Sequence, residues 1–432
     1  MKVAIVGAGP AGMTAASALA SAGHEVTVFE REESAGGRTR TVHFGEDHWL
    51  DTGAGWLTDF YPVTMGLLKR HGLDDELNSL VLRGGGDLLL DGVRYPSPNS
   101  IWRILTSRLI NPVNKVRFFL WMALLIVRQR PNLRIDRRYD SMSAMDALGS
   151  MGSDALERIV RPSFEGPFFA RLEQMNGTLV RSWLRSLSIG NFFQPEDGMD
   201  RPWRRLADTL DVRYSTEVTQ VGSDGAARTW IESGGETLQF DAAVLAVPAP
   251  VAARLLGDTA PDALSSVPYV PHVRAYVARP TTSAVARTAV HIFPNDTVAT
   301  VERGMSGQPA WGHVPQGWEW TLICAPSASS EHLIELAHDE LMDRLFDTAG
   351  ELTGEKVVWR DHEVVHLVRW SHAVPVVDVD YYRRLDSIPR RAPIALAGDW
   401  CDQPCVEGAV RSGYRAAALL DPSISVPGDA KA

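Results

Sequence analysis

The sequence predicts an α/β protein in which a doubly wound, parallel-sheet nucleotide domain is interrupted by a mixed α+β domain. Three stretches carry that reading. At the N-terminus, Lys2 to Val6 reads as a short buried strand and runs into Gly7-Ala8-Gly9-Pro10-Ala11-Gly12, a G-x-G-x-x-G loop that opens a helix of small residues. Near the C-terminus, Ile394 to Asp399 reads as a second buried strand, followed by a helix that starts near Val406 and runs to Leu420. Between them, from Pro268 to Cys324, Val, Tyr, Trp and Thr alternate between turns, the period of a sheet rather than of a helix.

The first stretch has a definite chemistry. Gly23 closes the small-residue helix, and a strand from Glu25 to Phe29 delivers Glu30 at its carboxyl end. Glycines let the backbone turn tightly and approach a pyrophosphate, whose charge sits on the helix N-terminus. Glu30, 18 residues after Gly12, is placed to accept hydrogen bonds from an adenosine ribose. With strand, loop, helix and acid all in sequence, the unit is Rossmann-like. Ala35-Gly36-Gly37-Arg38-Thr39 then supplies two permissive glycines and an arginine able to reach the pyrophosphate as a bidentate donor.

From Gly7 through Gly36-Gly37-Arg38 the chain resembles the FAD-containing superfamily of amine oxidases, protoporphyrinogen oxidases and carotenoid desaturases. The resemblance implies FAD, its ADP half held by Gly7, Gly9, Pro10, Ala11, Gly12, Glu30, Arg31, Gly37 and Arg38. No second G-x-G-x-x-G follows a strand, so a separate nicotinamide domain is not expected. Similar family segments place Gly53, Ala54, Gly55 and Trp56, in the turn Trp49 to Trp56, beside the flavin ring; an ordinary tight turn is the competing reading. Gly198-Met199 resembles the G-G-M segment that returns to the FAD domain, with Asp197 where a first Gly is usual. Val212 to Val221 then reads as one strand, which the resemblance places beside the adenine, with Val218 at the position whose backbone contacts the base. The resemblance also makes Gly398, Asp399, Cys405, Val406, Glu407 and Ala409 flavin-adjacent, and Cys405-Val406-Glu407-Gly408-Ala409 is similar to the protoporphyrinogen oxidase segment. A helix starting near Val406 would aim its positive end at the flavin edge where negative charge develops on reduction. Arg369 to Pro375 resembles the W-x-x-A-x-P segment next to the isoalloxazine, which puts Trp370 beside the ring and makes His372 the nearest candidate acid/base.

Amine oxidases of this superfamily usually hold a lysine against the flavin, drawn from the middle of the substrate domain. The only lysines are Lys2, Lys69, Lys115, Lys356 and Lys431, so the resemblance leans to the protoporphyrinogen oxidase and desaturase branch. His362-Glu363-Val364-Val365-His366 matches H-E-x-x-H, but β-branched flanks predict a strand. There the two imidazoles would lie about 13 Å apart and could not share a metal. No metal site is expected, and Cys401 and Cys405 read as small apolar side chains near the ring.

A net charge of −10 argues against nucleic acid as a partner. Three cysteines give no disulfide framework, and no signal peptide is visible, so a cytoplasmic protein is expected. Residues 92–135 nevertheless hold eight Lys or Arg and no Asp or Glu. Within them Phe118 to Val127 is apolar and flanked by Lys115, Arg117, Arg128 and Arg130. It reads as a buried helix of the substrate domain with snorkelling arginines, or as a helix at a membrane surface.

The expected organisation is a discontinuous FAD domain (1–90, 198–262, 356–421), a substrate domain (91–197, 263–355) and a disordered tail (422–432). The expected function is FAD-dependent removal of a hydride from a C–H of a hydrophobic small molecule, with oxygen or another carrier as final acceptor, by a monomer or homodimer. An amine oxidase, a non-redox flavin isomerase or mutase, and a flavin-containing membrane-surface binding protein are the alternatives.

Overall fold

The computed structural model describes residues 1–80, 86–98, 100–166, 170–188, 190–225, 228–306, 311–389 and 392–427. Its organising element is a five-stranded parallel sheet in the spatial order Asp211–Arg213, Glu25–Phe29, Lys2–Val6, Ala242–Leu245, Ile394–Leu396. The three central strands are apolar runs buried on both sides, which suits a parallel sheet covered on both faces. Helices Pro10–Ser21 and Val406–Leu420 pack against each other and against this sheet. The first and last elements of the chain therefore share one core.

The second sheet has seven strands in the order Val364–Pro375, Tyr269–Pro280, Trp318–Cys324, Thr300–Met305, Thr288–Phe293, Asp87–Leu90, Val93–Pro96. The expected β-rich region is four of these, and Asp91-Gly92, both at positive φ, makes the hairpin turn between the last two. Helix His338–Thr353 covers one face, through Leu341, Met342, Leu345 and Phe346.

Several boundaries differ from expectation. Asp87–Leu90 and Val364–Pro375 pair with the large sheet, so neither 1–90 nor 356–421 belongs wholly with the nucleotide sheet. Glu331 to Phe346 reads from the sequence as one amphipathic helix, but the helix begins at His338, where Asp339 and Glu340 fill a first turn that favours acids. The strand expected over Val212 to Val221 is two: Asp211–Arg213 edges the parallel sheet, and Val218–Ser223 starts an antiparallel meander. Ser215, at φ 49°, turns the chain between them. Residues 422–427 are not detached, because Ile424 and Val426 pack on the main core. Residues 167–169 and 428–432 lie outside the described residues.

Candidate flavin site

The glycine loop sits where the motif predicts. Gly9 is the N-cap of Pro10–Ser21, no side chain caps this end, and no acid occupies the first turn. A Cβ on Gly12 would lie 1.9 Å from the Gly7 carbonyl oxygen, so helix and loop meet only with glycine there. The Glu30 carboxylate is fixed beneath the loop, accepting from the Ala8 N–H at 2.7 Å and the Glu32 N–H at 3.0 Å. Each oxygen keeps a lone pair for a further donor. The Gly36 N–H donates to the Ala8 carbonyl, so the second glycine pair lies against the first. Thr216 N–H donates to the Glu30 carbonyl, which places Val218, buried, a few residues from that acid.

Arg38 reaches across the molecule. Its guanidinium donates to both carboxylate oxygens of Asp399, at 2.6 and 3.0 Å, and to the Ala373 carbonyl at 2.9 Å. Asp399 also accepts from the Trp400 N–H, and Gly398 N–H donates to Ser412 Oγ. One residue thus joins the N-terminal loop, the C-terminal strand and the edge strand of the large sheet. Arg31 is different. Its side chain is 60 % exposed beside Glu32.

Helix Val406–Leu420 also starts without a side-chain cap, at Cys405. Val406 and Ala409 are buried in its first turn. Glu407 is buried too, but its carboxylate points elsewhere. It accepts from the N–H groups of Val63 and Thr64 and from the Thr64 hydroxyl, closing the N-terminus of helix Pro62–Arg70. Expected as a flavin neighbour, Glu407 is a clamp between two helices, because three donors already hold both its oxygens. Burial pushes the Cys405 thiol up to about 12, so it stays protonated beside Tyr61.

The turn at 49–56 is held from three sides. Trp370 Nε1 donates to the Thr52 carbonyl at 2.8 Å. The Ala54 N–H donates to the Arg38 carbonyl. Arg274 donates to the Asp51 and Gly53 carbonyls and lies under the Trp311 ring, which also rests against Gly55 and meets Trp56 at 5.2 Å. Asp51 is fully buried and accepts from Thr41 Oγ1, Met199 N–H and Gln194 Nε2. Burial outweighs those donors and pushes its carboxyl up to about 7. Trp370, expected beside the flavin ring, is anchored to this turn. His372, one turn of strand further, stands edge-on to Tyr269 at 5.3 Å. Burial, then Arg38, Arg254 and Arg31, lowers its pKa, so it is a neutral imidazole near pH 7.

Comparison with known sequences gives the family. The family described as "Flavin containing amine oxidoreductase" matches residues 10–420. The chain belongs to this flavin-containing oxidoreductase family. It is similar to 15-cis-phytoene desaturase, chloroplastic/chromoplastic, of Glycine max, at 23% identity over 466 residues that cover 97% of this chain and 79% of the relative. Among solved structures it is similar to an Exiguobacterium sp. 255-15 protein provisionally assigned as a protoporphyrinogen oxidase. The TM-score is 0.76 at 17% identity, covering 98% of this chain and 99% of the other. Cyclohexylamine oxidase from Brevibacterium oxydans IH-35A gives 0.70 at 17% identity, covering 98% and 99%. At such identities the structural likeness shows the fold of this flavin family, and that fold is shared.

The residues fit a flavin nucleotide. Two helix N-termini without side-chain caps suit anionic or polarised oxygens, and Glu30 suits vicinal hydroxyls. Tyr269, Arg274 and Trp311, which hold the two flavin-side segments of the large sheet and the turn, were not singled out from the sequence. Only an arginine set among Val273, Ala275, Tyr276 and Val277 could have signalled Arg274.

Proposed function

We propose that the protein is an FAD-dependent oxidoreductase that takes a hydride from a C–H of an apolar small molecule and passes the electrons to oxygen or another carrier. The observation that carries this is the Arg38–Asp399 pair, set between two helix N-termini from opposite ends of the chain. Glu30 and Val218 would hold the adenosine, Gly9 to Gly12 and Arg38 the pyrophosphate, and Asp399, Val406 and Ala409 the flavin end. The bound flavin supplies a two-electron acceptor, chemistry that no side chain of the chain can provide.

The side chains have separate tasks. Trp370, Arg274 and Trp311 fix the turn 49–56 and keep water from one side of the site. His372, neutral and half-buried, can accept a proton but is poorly suited to donate one. An apolar, flat substrate is supported by a run of contacting rings, Trp311, Trp56, Phe192, Phe60 and Trp183, that begins at this turn with a tilted pair and continues edge-to-face. No lysine lies between Lys115 and Lys356, which favours a desaturase- or porphyrinogen-oxidase-like reaction over amine oxidation.

The test is anaerobic mixing of the yellow protein with porphyrinogens, polyenes, steroids and amines while the flavin absorbance is followed. Bleaching by an apolar class and not by amines is expected. If amines alone bleach it, the substrate assignment fails; if nothing does, oxidative turnover of these classes is refuted.

A further inference from the structure

His272 is buried on the side of the large sheet that faces the turn 49–56, and only one of its two ring nitrogens has a partner. In the ladder between Tyr269–Pro280 and Val364–Pro375 it stands directly opposite Trp370. Residues directly opposite one another point to the same face of a sheet, and Arg274, two residues on, shares that face too. Both neighbours reach the turn. Trp370 donates to the Thr52 carbonyl, and Arg274 to the carbonyls of Asp51 and Gly53. His272 therefore lies among the side chains that hold the flavin-side turn in place. Its Nδ1 is 3.2 Å from Ser327 Oγ, and the Ser327 N–H donates to the Gly166 carbonyl. The residue is only 5 % exposed, yet Nε2 meets no donor or acceptor among the described residues. Such atoms are rare in protein interiors, because each gives up its hydration and gains nothing in return.

We propose that His272 Nε2 hydrogen-bonds an uncharged oxygen of the substrate, a hydroxyl above all, and so sets the direction in which a flat apolar molecule lies beside the turn. This rests on the reading of an apolar substrate and adds that the molecule has one polar end. Charge narrows the choice of partner. Burial, helped by the positive charge of Arg274, pushes the His272 imidazole down to about 3, so it is neutral near pH 7 and has no charge to offer a carboxylate. Arg274 itself is already committed to two carbonyls. No group of His, Cys, Asp or Glu among the described residues is placed to hold a metal beside it. Ser327 leaves both tautomers open. Nε2 accepts when Nδ1–H donates to the serine oxygen, and donates when the serine gives its own proton to Nδ1. A hydroxyl satisfies either arrangement, whereas a carbonyl satisfies only the second.

The test is equilibrium dialysis of the oxidised, flavin-loaded full chain against two flat probes that differ by one hydroxyl, 2-naphthol and naphthalene. His272→Phe, which keeps a ring and removes the nitrogens, should weaken 2-naphthol about tenfold or more and leave naphthalene as tight as in wild type. His272→Gln, which keeps a hydrogen-bonding amide, should hold 2-naphthol within about threefold of wild type. Circular dichroism and flavin content should be unchanged in both. A second readout needs no loss of binding: the 15N resonance of His272 Nε2, identified by its disappearance in His272→Gln, should move with 2-naphthol and stay with naphthalene. Equal weakening of both probes by His272→Phe overturns the proposal, as does no weakening of either, no binding of 2-naphthol to wild type, or an unmoved resonance. Neither readout requires turnover. A protein that binds 2-naphthol through His272 and fails the anaerobic bleaching test therefore loses the hydride-transfer reading and keeps this one.

Discussion

At the scale of single residues, two buried carboxylates show how environment decides a role. Asp51 sits where water cannot reach, and its pKa is pushed from 3.8 up to about 7. The folded state therefore holds its proton more tightly than the unfolded chain does. The stabilisation is complete below about pH 4 and is lost as pH rises toward 7. Asp51→Asn, which keeps the shape and removes the titration, should flatten the decline of denaturation midpoint between about pH 4 and 7. An undiminished decline would place the titration elsewhere. Glu407 has the opposite duty, since its three donors come from a helix N-terminus rather than a ligand. Glu407→Ala leaves two buried N–H groups unpaired and should cost about 2–4 kcal/mol in chemical denaturation. Fluorescence-monitored urea titration would measure it. Asp51 lay in a turn already singled out, yet nothing in the sequence distinguished it from a solvent-facing aspartate.

At the scale of elements, the crossing of the first and last helices sets the site. A Cβ added at Gly413 would stand 2.3 Å from the Ala11 carbonyl oxygen, so the two backbones approach as closely as only glycine permits. Gly413→Ala should push the helices apart, lower stability by about 1–3 kcal/mol and reduce flavin retained through gel filtration. Unchanged stability and flavin content would show that the crossing relaxes freely. These helices were legible in the sequence because each has its own punctuation, glycines before one and a strand ending in Asp399 before the other. The division of Val212 to Val221 was not legible, since β-branched residues favour strand on both sides of Ser215 and only pairing partners separate them.

For the whole molecule, Arg38 links its own loop to two segments that lie 335 and 361 residues away in sequence. Arg38→Gln should leave the parallel sheet folded, by circular dichroism, while the protein loses flavin at least about tenfold faster than wild type on dialysis. Retention of flavin at the wild-type rate would remove Arg38 from the site. If His372 is the proton acceptor, its pKa is below the ordinary 6.5, since burial and three arginines disfavour the cation. Turnover should then persist into mildly acidic pH and fall as the imidazole protonates. His372→Ala should lower kcat by about a hundredfold and abolish that acid limb, with flavin content unchanged.

By itself, the sequence determined the nucleotide unit and its counterpart at the far end. Turn glycines, a buried apolar run and an acid at a fixed separation act over a few residues, and their physics is local. Tertiary structure alone decided that Arg38 meets Asp399, that Glu407 accepts from the N-terminus of helix Pro62–Arg70, and that an apolar side of helix Pro112–Arg128 is left exposed among the described residues. Those outcomes depend on which surfaces come together across hundreds of residues. Burial and pairing of that kind leave no periodic trace along the chain.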